Sequence, residues 1–222
     1  RECSAHPNQE FDLSAAKQAW QYFEQNWQEK TGFVNAVENY PWATLWDQGS
    51  AILGIHSARQ LEIIDPGEFK DKISKLLSTL ETLPLPATGL PNKAYSTTTG
   101  EMRQLDNTPD SEGKSGWSAL DTARFLIALH TLKIHYPEYS AKIDQIVSRW
   151  DLSKLEQNGW LYGGIPDQQG KIKYFQEGRL GYEQYAAYGL KLWGIEAINA
   201  LHNPPTKNIE VEGITLKADQ RN

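Results

Sequence analysis

Two kinds of helical segment alternate along the chain, and this alternation is the feature that most constrains the fold. Three segments are charged on one face and apolar on the other: 12–28, 68–83 and 138–150. Three others are small, apolar and nearly uncharged around much of their circumference: 45–62, 118–135 and 178–201. Amphipathic helices lie at a surface, whereas helices that are apolar all round are buried. The sequence therefore predicts a mainly α fold of three helical hairpins, each pairing an outer helix with an inner one.

The last inner segment, 178–201, is rich in glycine, which lowers helix stability. A helix that tolerates glycine usually has another element packed close to its backbone. We therefore expect this helix to belong to a tightly packed inner ring. Inner helices of successive hairpins run parallel, so their first turns gather at one end, which we call the mouth.

The remaining segments set the expected boundaries. A β-hairpin is predicted near 158–176, and a long functional or mobile loop covers 84–117. Residues 1–11 are expected to form a flexible tail, and 204–222 an extended one. These boundaries leave 12–203 as one helical domain, which the resemblance given below implies to be part of an α/α toroid.

Composition excludes several partners and points to one. The net charge of −6 argues against nucleic acid, and no apolar run approaches the roughly 20 residues that span a bilayer. The five histidines show no metal-ligand spacing, so we expect neither a metal nor another cofactor. Eight tryptophans and ten tyrosines in an acidic protein fit carbohydrate, because flat rings stack on sugars; the alternative is that they fill the core.

Each inner segment opens with an acid: Asp47, Asp121 and Glu183. Because the inner helices begin at one mouth, we expect the three carboxylates to face a common cleft there. Cleavage of a glycosidic bond needs two carboxyl groups, one that donates a proton and one that acts as nucleophile or base. Their spacing decides retention or inversion and is not set by the sequence.

Helix capping is the alternative interpretation of these acids. Thr44 precedes Asp47 by three residues and Ser118 precedes Asp121 by three, and both pairs match a capping box. An acid in a first turn is also favoured by the helix dipole. Glu183 has no such partner three residues earlier, so capping explains it least.

Further residues near these acids are expected to bind substrate. Tryptophans adjoin the first two acids in sequence, and the 84–117 loop can reach the same mouth. The predicted substrate-binding residues are Trp42, Trp46, Asn92, Tyr95, Trp117, Arg179 and Tyr182. For Arg179 a structural role, pairing with an acid or anchoring a loop, is the favoured alternative. Arg124 is placed to pair with Asp121 along the helix.

Five short motifs carry a resemblance that covers residues 31 to 194. They are TGFVN at 31–35, YPWATLWD at 40–47, LPNKAY at 90–95, GWSALD at 116–121 and GRLGYEQYAA at 178–187. Together they resemble a bacterial domain family of unassigned function. That family is similar to the glucoamylase-like (α/α) toroid glycoside hydrolases and, distantly, to the glucan-processing domain of cyclic β-1,2-glucan synthases.

The resemblance implies a toroid, an extracytoplasmic and periplasmic setting, and hydrolysis or transglycosylation of a bacterial glucan or other polysaccharide. Glu183 would be the general acid, and Asp47 or Asp121 the second carboxylate or a substrate-binding residue. A full toroid has six hairpins, so we expect an N-terminal half, completed by further residues or by a second chain. The alternative function is a non-catalytic helical module that binds glycan or protein. The catalytic interpretation requires the three acids to share one open cleft.

Overall fold

A computed structural model describes residues 9–221 and shows a mainly α chain, as predicted. The helices are α1 (Gln9–Asn26), α2 (Leu45–Gln60), α3 (Pro66–Thr82), α4 (Ala119–His135), α5 (Ser140–Val147), α6 (Tyr182–Lys191) and α7 (Ile198–His202). Helix α4 packs between α2 and α6, while α1 and α3 pack against α2, and α5 against α3 and α4. The alternation of apolar and amphipathic segments therefore places α2, α4 and α6 together.

Close backbone packing joins the three inner helices. A methyl group at Gly49 of α2 would lie 3.2 Å from the carbonyl oxygen of Arg124, and one at Gly189 of α6 would lie 2.9 Å from that of Ala123. Both contacts are with the backbone of α4, which cannot move aside easily. This confirms the expectation that glycine in the last inner segment serves close packing.

The last inner segment is shorter than predicted. Gly181, with φ of +87°, precedes α6, and Gly194, with φ of +81°, follows its last turn. Both backbones are left-handed, a conformation that ends a right-handed helix and that glycine adopts readily. One continuous helix over 178–201 is therefore wrong, because α7 is a separate short helix.

Three small antiparallel sheets complete the fold. The first joins β1 (Trp42–Thr44), β2 (Ala94–Ser96) and β3 (Met102–Arg103), so the 84–117 loop is tied to the start of α2. The second contains β4 (Glu156–Gln157), β5 (Trp160–Pro166) and β6 (Ile172–Gln176), which confirms the hairpin predicted near 158–176. The third is a hairpin of β7 (Thr206–Val211) and β8 (Ile214–Asp219).

The boundaries of the tails differ in detail from those expected. The first eight residues of the predicted 1–11 tail lie outside the described residues, and Gln9 already begins α1. The 204–222 segment is extended but folds back on itself, with Ile209 opposite Leu216. None of the helices within 9–221 is both long and apolar enough to cross a membrane.

Candidate functional site

Asp47 caps its own helix. The backbone N–H and the hydroxyl of Thr44 both donate to Asp47 Oδ2 at 2.8 Å, and the Asp47 N–H donates to Thr44 Oγ1 at 3.3 Å. This is the reciprocal pattern of a capping box. The capping interpretation of Asp47 is therefore correct, and one of its carboxylate oxygens is committed to it.

Asp121 lies in the first turn of α4, where its N–H donates to the Ser118 hydroxyl at 3.2 Å. Burial and, to a smaller extent, the negative charges of Glu177 and Asp47 together raise the pKa of Asp121 to about 6. Both effects disfavour the ionised carboxyl group. Asp121 is therefore a carboxylic acid that holds its proton up to a pH well above the usual range.

Glu177 is a carboxylate that the sequence did not single out. It accepts hydrogen bonds from the Ala119 N–H, from the Leu120 N–H at 3.3 Å and from the Ser118 hydroxyl at 3.2 Å. The first turn of a helix carries unpaired N–H donors and a partial positive charge, which favour an anion there. Burial nevertheless raises the pKa of Glu177, with these bonds opposing the shift.

Glu183 lies away from any open surface, contrary to the expectation. Its side chain is fully buried and pairs with Arg221, whose Nη1 donates to Glu183 Oε2 at 2.7 Å. The Gln176 amide donates to the other oxygen at 2.6 Å. The expected placement of Glu183 at the mouth of a cleft with Asp47 and Asp121 is therefore wrong. The three acids do not share one open cleft, so the catalytic interpretation fails in the form that makes the general acid Glu183. The first turn of α6 directs this side chain inward, where Arg221 neutralises its charge.

Two adjoining recesses open at the mouth. The first, of about 390 Å³, we call the carboxylate recess; it is lined by Trp46, Leu120, Asp121, Arg179 and Tyr182. The second, of about 310 Å³, we call the arginine recess; it is lined by Trp46, Arg124, Leu180, Gly181, Tyr182 and Tyr185. The carboxylate recess is lined by residues from the first turns of α2, α4 and α6. The N-terminal ends of the three inner helices therefore meet at the mouth, as expected.

Aromatic rings separate the two recesses. The ring centroids of Trp46 and Tyr182 are 5.8 Å apart, and those of Trp46 and Tyr185 are 6.4 Å apart. Tyr182 is 57% exposed. An exposed ring beside the half-buried Asp121 gives this recess an apolar surface on which a sugar ring can stack next to a carboxyl group.

The comparison of sequences decides the family. A family described as "Protein of unknown function (DUF3131)" matches residues 14–222. The chain belongs to the DUF3131 family. No curated protein matches the chain by sequence.

Solved structures show what fold this DUF3131 chain has. It is similar to an endo-β-1,2-glucanase from Chitinophaga pinensis in complex with sophorotriose and glucose (TM-score 0.64, 16% identity, 94% of this chain and 55% of that one). It is also similar to a glucoamylase candidate from Bacteroides fragilis NCTC 9343 (TM-score 0.63, 15% identity, 98% and 57%). An endo-β-1,2-glucanase from Talaromyces funiculosus in complex with sophorose is a third (TM-score 0.61, 13% identity, 95% and 54%).

These likenesses show a glycoside hydrolase-like helical toroid fold. The DUF3131 chain spans just over half the length of these three structures. At such low identity the likeness concerns the fold, and activity rests on the site itself. That this chain is an N-terminal half stays a prediction.

Three of the predicted substrate-binding residues of the DUF3131 chain are buried. Trp117 is fully buried, and its indole N–H donates to the Tyr162 carbonyl at 3.1 Å. Asn92 is also fully buried, and its amide donates within the 84–117 segment, including to Asp110. Tyr95 is 2% exposed, and its hydroxyl accepts from the Asn92 N–H at 2.8 Å. The structure corrects their assignment from substrate contacts to supports of the loop.

The other predicted residues divide between the recesses and the loop. Trp46, Tyr182 and Arg179 line a recess, and their binding of substrate stays a prediction. Trp42 is half-buried, and its indole N–H donates to the Gln104 carbonyl at 2.9 Å.

Two larger recesses, each of about 410 Å³, lie elsewhere. One lies between the start of α1 and the end of α2 and contains none of the predicted site residues. The other is lined by residues of 87–88, 112, 114, 154 and 166–172. None of the predicted site residues lines it. It includes the lysines Lys114 and Lys154, but each of these already pairs with an acid, Glu112 at 3.0 Å and Asp151 at 3.2 Å. The mouth is therefore the candidate functional site. Within 9–221, no cluster of His, Cys, Asp and Glu side chains is arranged to hold a metal ion.

Proposed function

We propose that this chain is a carbohydrate-active domain that binds a polysaccharide across the two recesses and acts on a glycosidic bond, with Asp121 as the proton donor. One observation carries the proposal: the pKa of Asp121 is raised to about 6 in a recess that also holds the exposed ring of Tyr182. A general acid works best when its pKa lies near the working pH, and an ordinary aspartic acid loses its proton about two units lower.

In this proposal Asp121 transfers its proton to the leaving glycosidic oxygen as the bond from that oxygen to the anomeric carbon breaks. A second carboxylate either activates water or attacks the anomeric carbon. Asp47 is the proposed second group, because its charge acts on Asp121 and it is half-exposed. In hydrolysis, water supplies the hydroxyl group to the anomeric carbon and restores the proton to Asp121.

The proposed substrate class is a bacterial glucan or another polysaccharide, and the proposed setting is extracytoplasmic. Support comes from the resemblance in the five motifs and from neighbours that were solved with sophorose or sophorotriose. These neighbours share the fold, so they guide the choice of the first substrates to test.

A second function is favoured by the bonding of the carboxylates. Asp47 accepts two hydrogen bonds from Thr44, and Glu177 accepts three from the start of α4. Carboxylates held in this way stabilise helix ends, and Asp121 then has no second carboxylate free to activate water or attack the anomeric carbon. The alternative proposal is therefore a glycan-binding module that does not cleave its ligand.

The test compares the wild-type protein with Asp121→Asn on β-1,2-glucan and a panel of other polysaccharides, measuring new reducing ends. The matched control is Asp71→Asn, which removes an exposed carboxylate from the outer helix α3. We expect Asp121→Asn to slow turnover by about 10²- to 10⁴-fold, the usual contribution of a general acid. The control should turn over at the wild-type rate.

Binding of sophorotriose, measured by calorimetry, separates the two functions. Retained binding with lost turnover in Asp121→Asn supports catalysis. Binding without any product from the wild-type protein supports the binding module. Full turnover in Asp121→Asn overturns the role of Asp121.

A further inference from the structure

Arg124 brings an uncompensated positive charge to the arginine recess. Two other arginines in the described part of the chain form ion pairs, Arg103 with Glu101 at 3.2 Å and Arg221 with Glu183 at 2.7 Å. Arg124 forms none within residues 9–221, so the ion pair expected between it and Asp121 is wrong. A half-buried guanidinium without a counter-ion is a charge that a ligand can neutralise.

Neutral groups hold the Arg124 side chain in place. Its Nε and Nη2 donate to the Ser50 hydroxyl at 3.2 and 3.0 Å, and its Nη1 donates to the Tyr185 hydroxyl at 3.2 Å. The guanidinium lies over Trp46, 4.5 Å from the ring centroid. Of its five N–H donors, these bonds with described residues use three. The group is therefore fixed in orientation and keeps two donors for a ligand.

The remaining lining of the arginine recess is aromatic or apolar. It consists of Trp46, Tyr182, Tyr185, Leu180 and the backbone of Gly181. A planar guanidinium matches a carboxylate through two parallel hydrogen bonds, and the match is stronger where water is excluded. Flat rings beside it match the ring of a sugar. The ligand that satisfies both is a sugar with a carboxylate group.

We propose that the arginine recess binds a uronic acid residue, so that the polysaccharide recognised at the mouth is acidic. This inference rests on the proposed function, because the same chain of sugars continues over Tyr182 into the carboxylate recess. Asp121 lies one helical turn before Arg124. Its carboxyl group disfavours a second anion beside it, so the acidic sugar occupies the arginine recess and its neighbour lies at Asp121.

The experiment measures binding by calorimetry with two kinds of probe: uronic acid trisaccharides (trigalacturonate and trimannuronate) and neutral sophorotriose. We expect the wild-type protein to bind at least one uronic acid probe about tenfold more tightly than sophorotriose at low salt. Arg124→Gln should lose about tenfold or more of that affinity, as expected for hydrogen bonds to a charged group. Its affinity for sophorotriose should change by no more than about twofold.

Two further variants sharpen the result. Arg124→Lys keeps the charge but not the planar fork, so it should recover only part of the affinity for the acidic probe. Arg59→Gln removes the same charge from the other end of α2 and should bind both probes as the wild-type protein does. High salt should weaken the binding of the acidic probe more than the binding of the neutral one.

Three outcomes would overturn the inference. If Arg124→Gln loses affinity for the acidic and the neutral probes equally, Arg124 only supports the rings of Trp46 and Tyr185. Sophorotriose binding without binding of either uronic acid probe would refute the acidic ligand and leave the proposed function intact. Failure of every probe to bind, together with absence of turnover, would overturn both.

Discussion

Replacing Arg221 by glutamine is predicted to destabilise the fold strongly, because it leaves a buried carboxylate without its counter-ion. Glu183 is 0% exposed, and Arg221 is its ion-pair partner. Removing one partner of a buried pair costs about 3–5 kcal/mol. The Gln176 amide still donates to Glu183, and 23% of the Arg221 side chain is exposed, so the lower end of about 3 kcal/mol applies.

The reverse substitution, Glu183→Gln, should be milder. Arg221 then keeps two bonds to Asp219, from Nε to Oδ1 at 2.9 Å and from Nη2 to Oδ2 at 2.7 Å. It also keeps contact with water. We expect a loss of about 1–2 kcal/mol, the value of a hydrogen bond to a charged group. Arg221→Gln takes the counter-ion from two buried carboxylates, Glu183 and Asp219, whereas the double variant takes it from Asp219 alone. The double variant should therefore be more stable than Arg221→Gln alone.

Thermal unfolding at pH 7, followed by circular dichroism, measures the difference. A chain of this length shifts its melting temperature by about 2–4 °C per kcal/mol, so Arg221→Gln should melt about 6–12 °C lower. The control is Arg103→Gln, whose partner Glu101 is 67% exposed, and it should cost less than about 1 kcal/mol. If Arg221→Gln melts no lower than the control, the buried pair is not what anchors the C-terminal hairpin.

Three further predictions concern the mouth and its supports. Tyr182→Ala should weaken oligosaccharide binding about threefold to tenfold in calorimetry, with little change in melting temperature because the ring is 57% exposed. The pKa of Asp121 is higher in the folded state, about 6 against 3.8, so stability should fall as pH rises from about 4 to about 6. Asp121→Asn should flatten that slope in melting curves. Gly116→Ala should lower the free energy of unfolding, measured in urea, by at least about 2 kcal/mol more than Gly170→Ala does. Both glycines have φ near +70°, but only at Gly116 would the methyl group overlap the Gly164 carbonyl.

Local patterns predicted most of the helical fold. The apolar and charged faces of α2, α3 and α4 repeat within a few residues, and their bounds agree with prediction to within about two residues. The capping box of Asp47 was also predictable, because Thr44 is only three residues away. The break after α6 was visible in the sequence as Gly194, but its left-handed conformation depends on the packed structure.

Contacts between distant residues were not predictable. Glu177 binds the start of α4 at Ala119, 58 residues earlier, and Glu183 pairs with Arg221, 38 residues later. No periodicity or short motif records such a pairing. The sequence therefore placed Asp121, Trp46 and Tyr182 at the mouth, but it also placed Glu183 there and missed Glu177, whose charge acts on Asp121.

A crystal structure of the protein with bound oligosaccharide would test the central claim most directly. The account predicts sugar rings stacked on Tyr182 across the two recesses, with a glycosidic oxygen within about 2.6–3.2 Å of Asp121. An oligosaccharide bound elsewhere, for example in the recess beside Lys154 and the turn of the β5–β6 hairpin, with the mouth unoccupied, would contradict it.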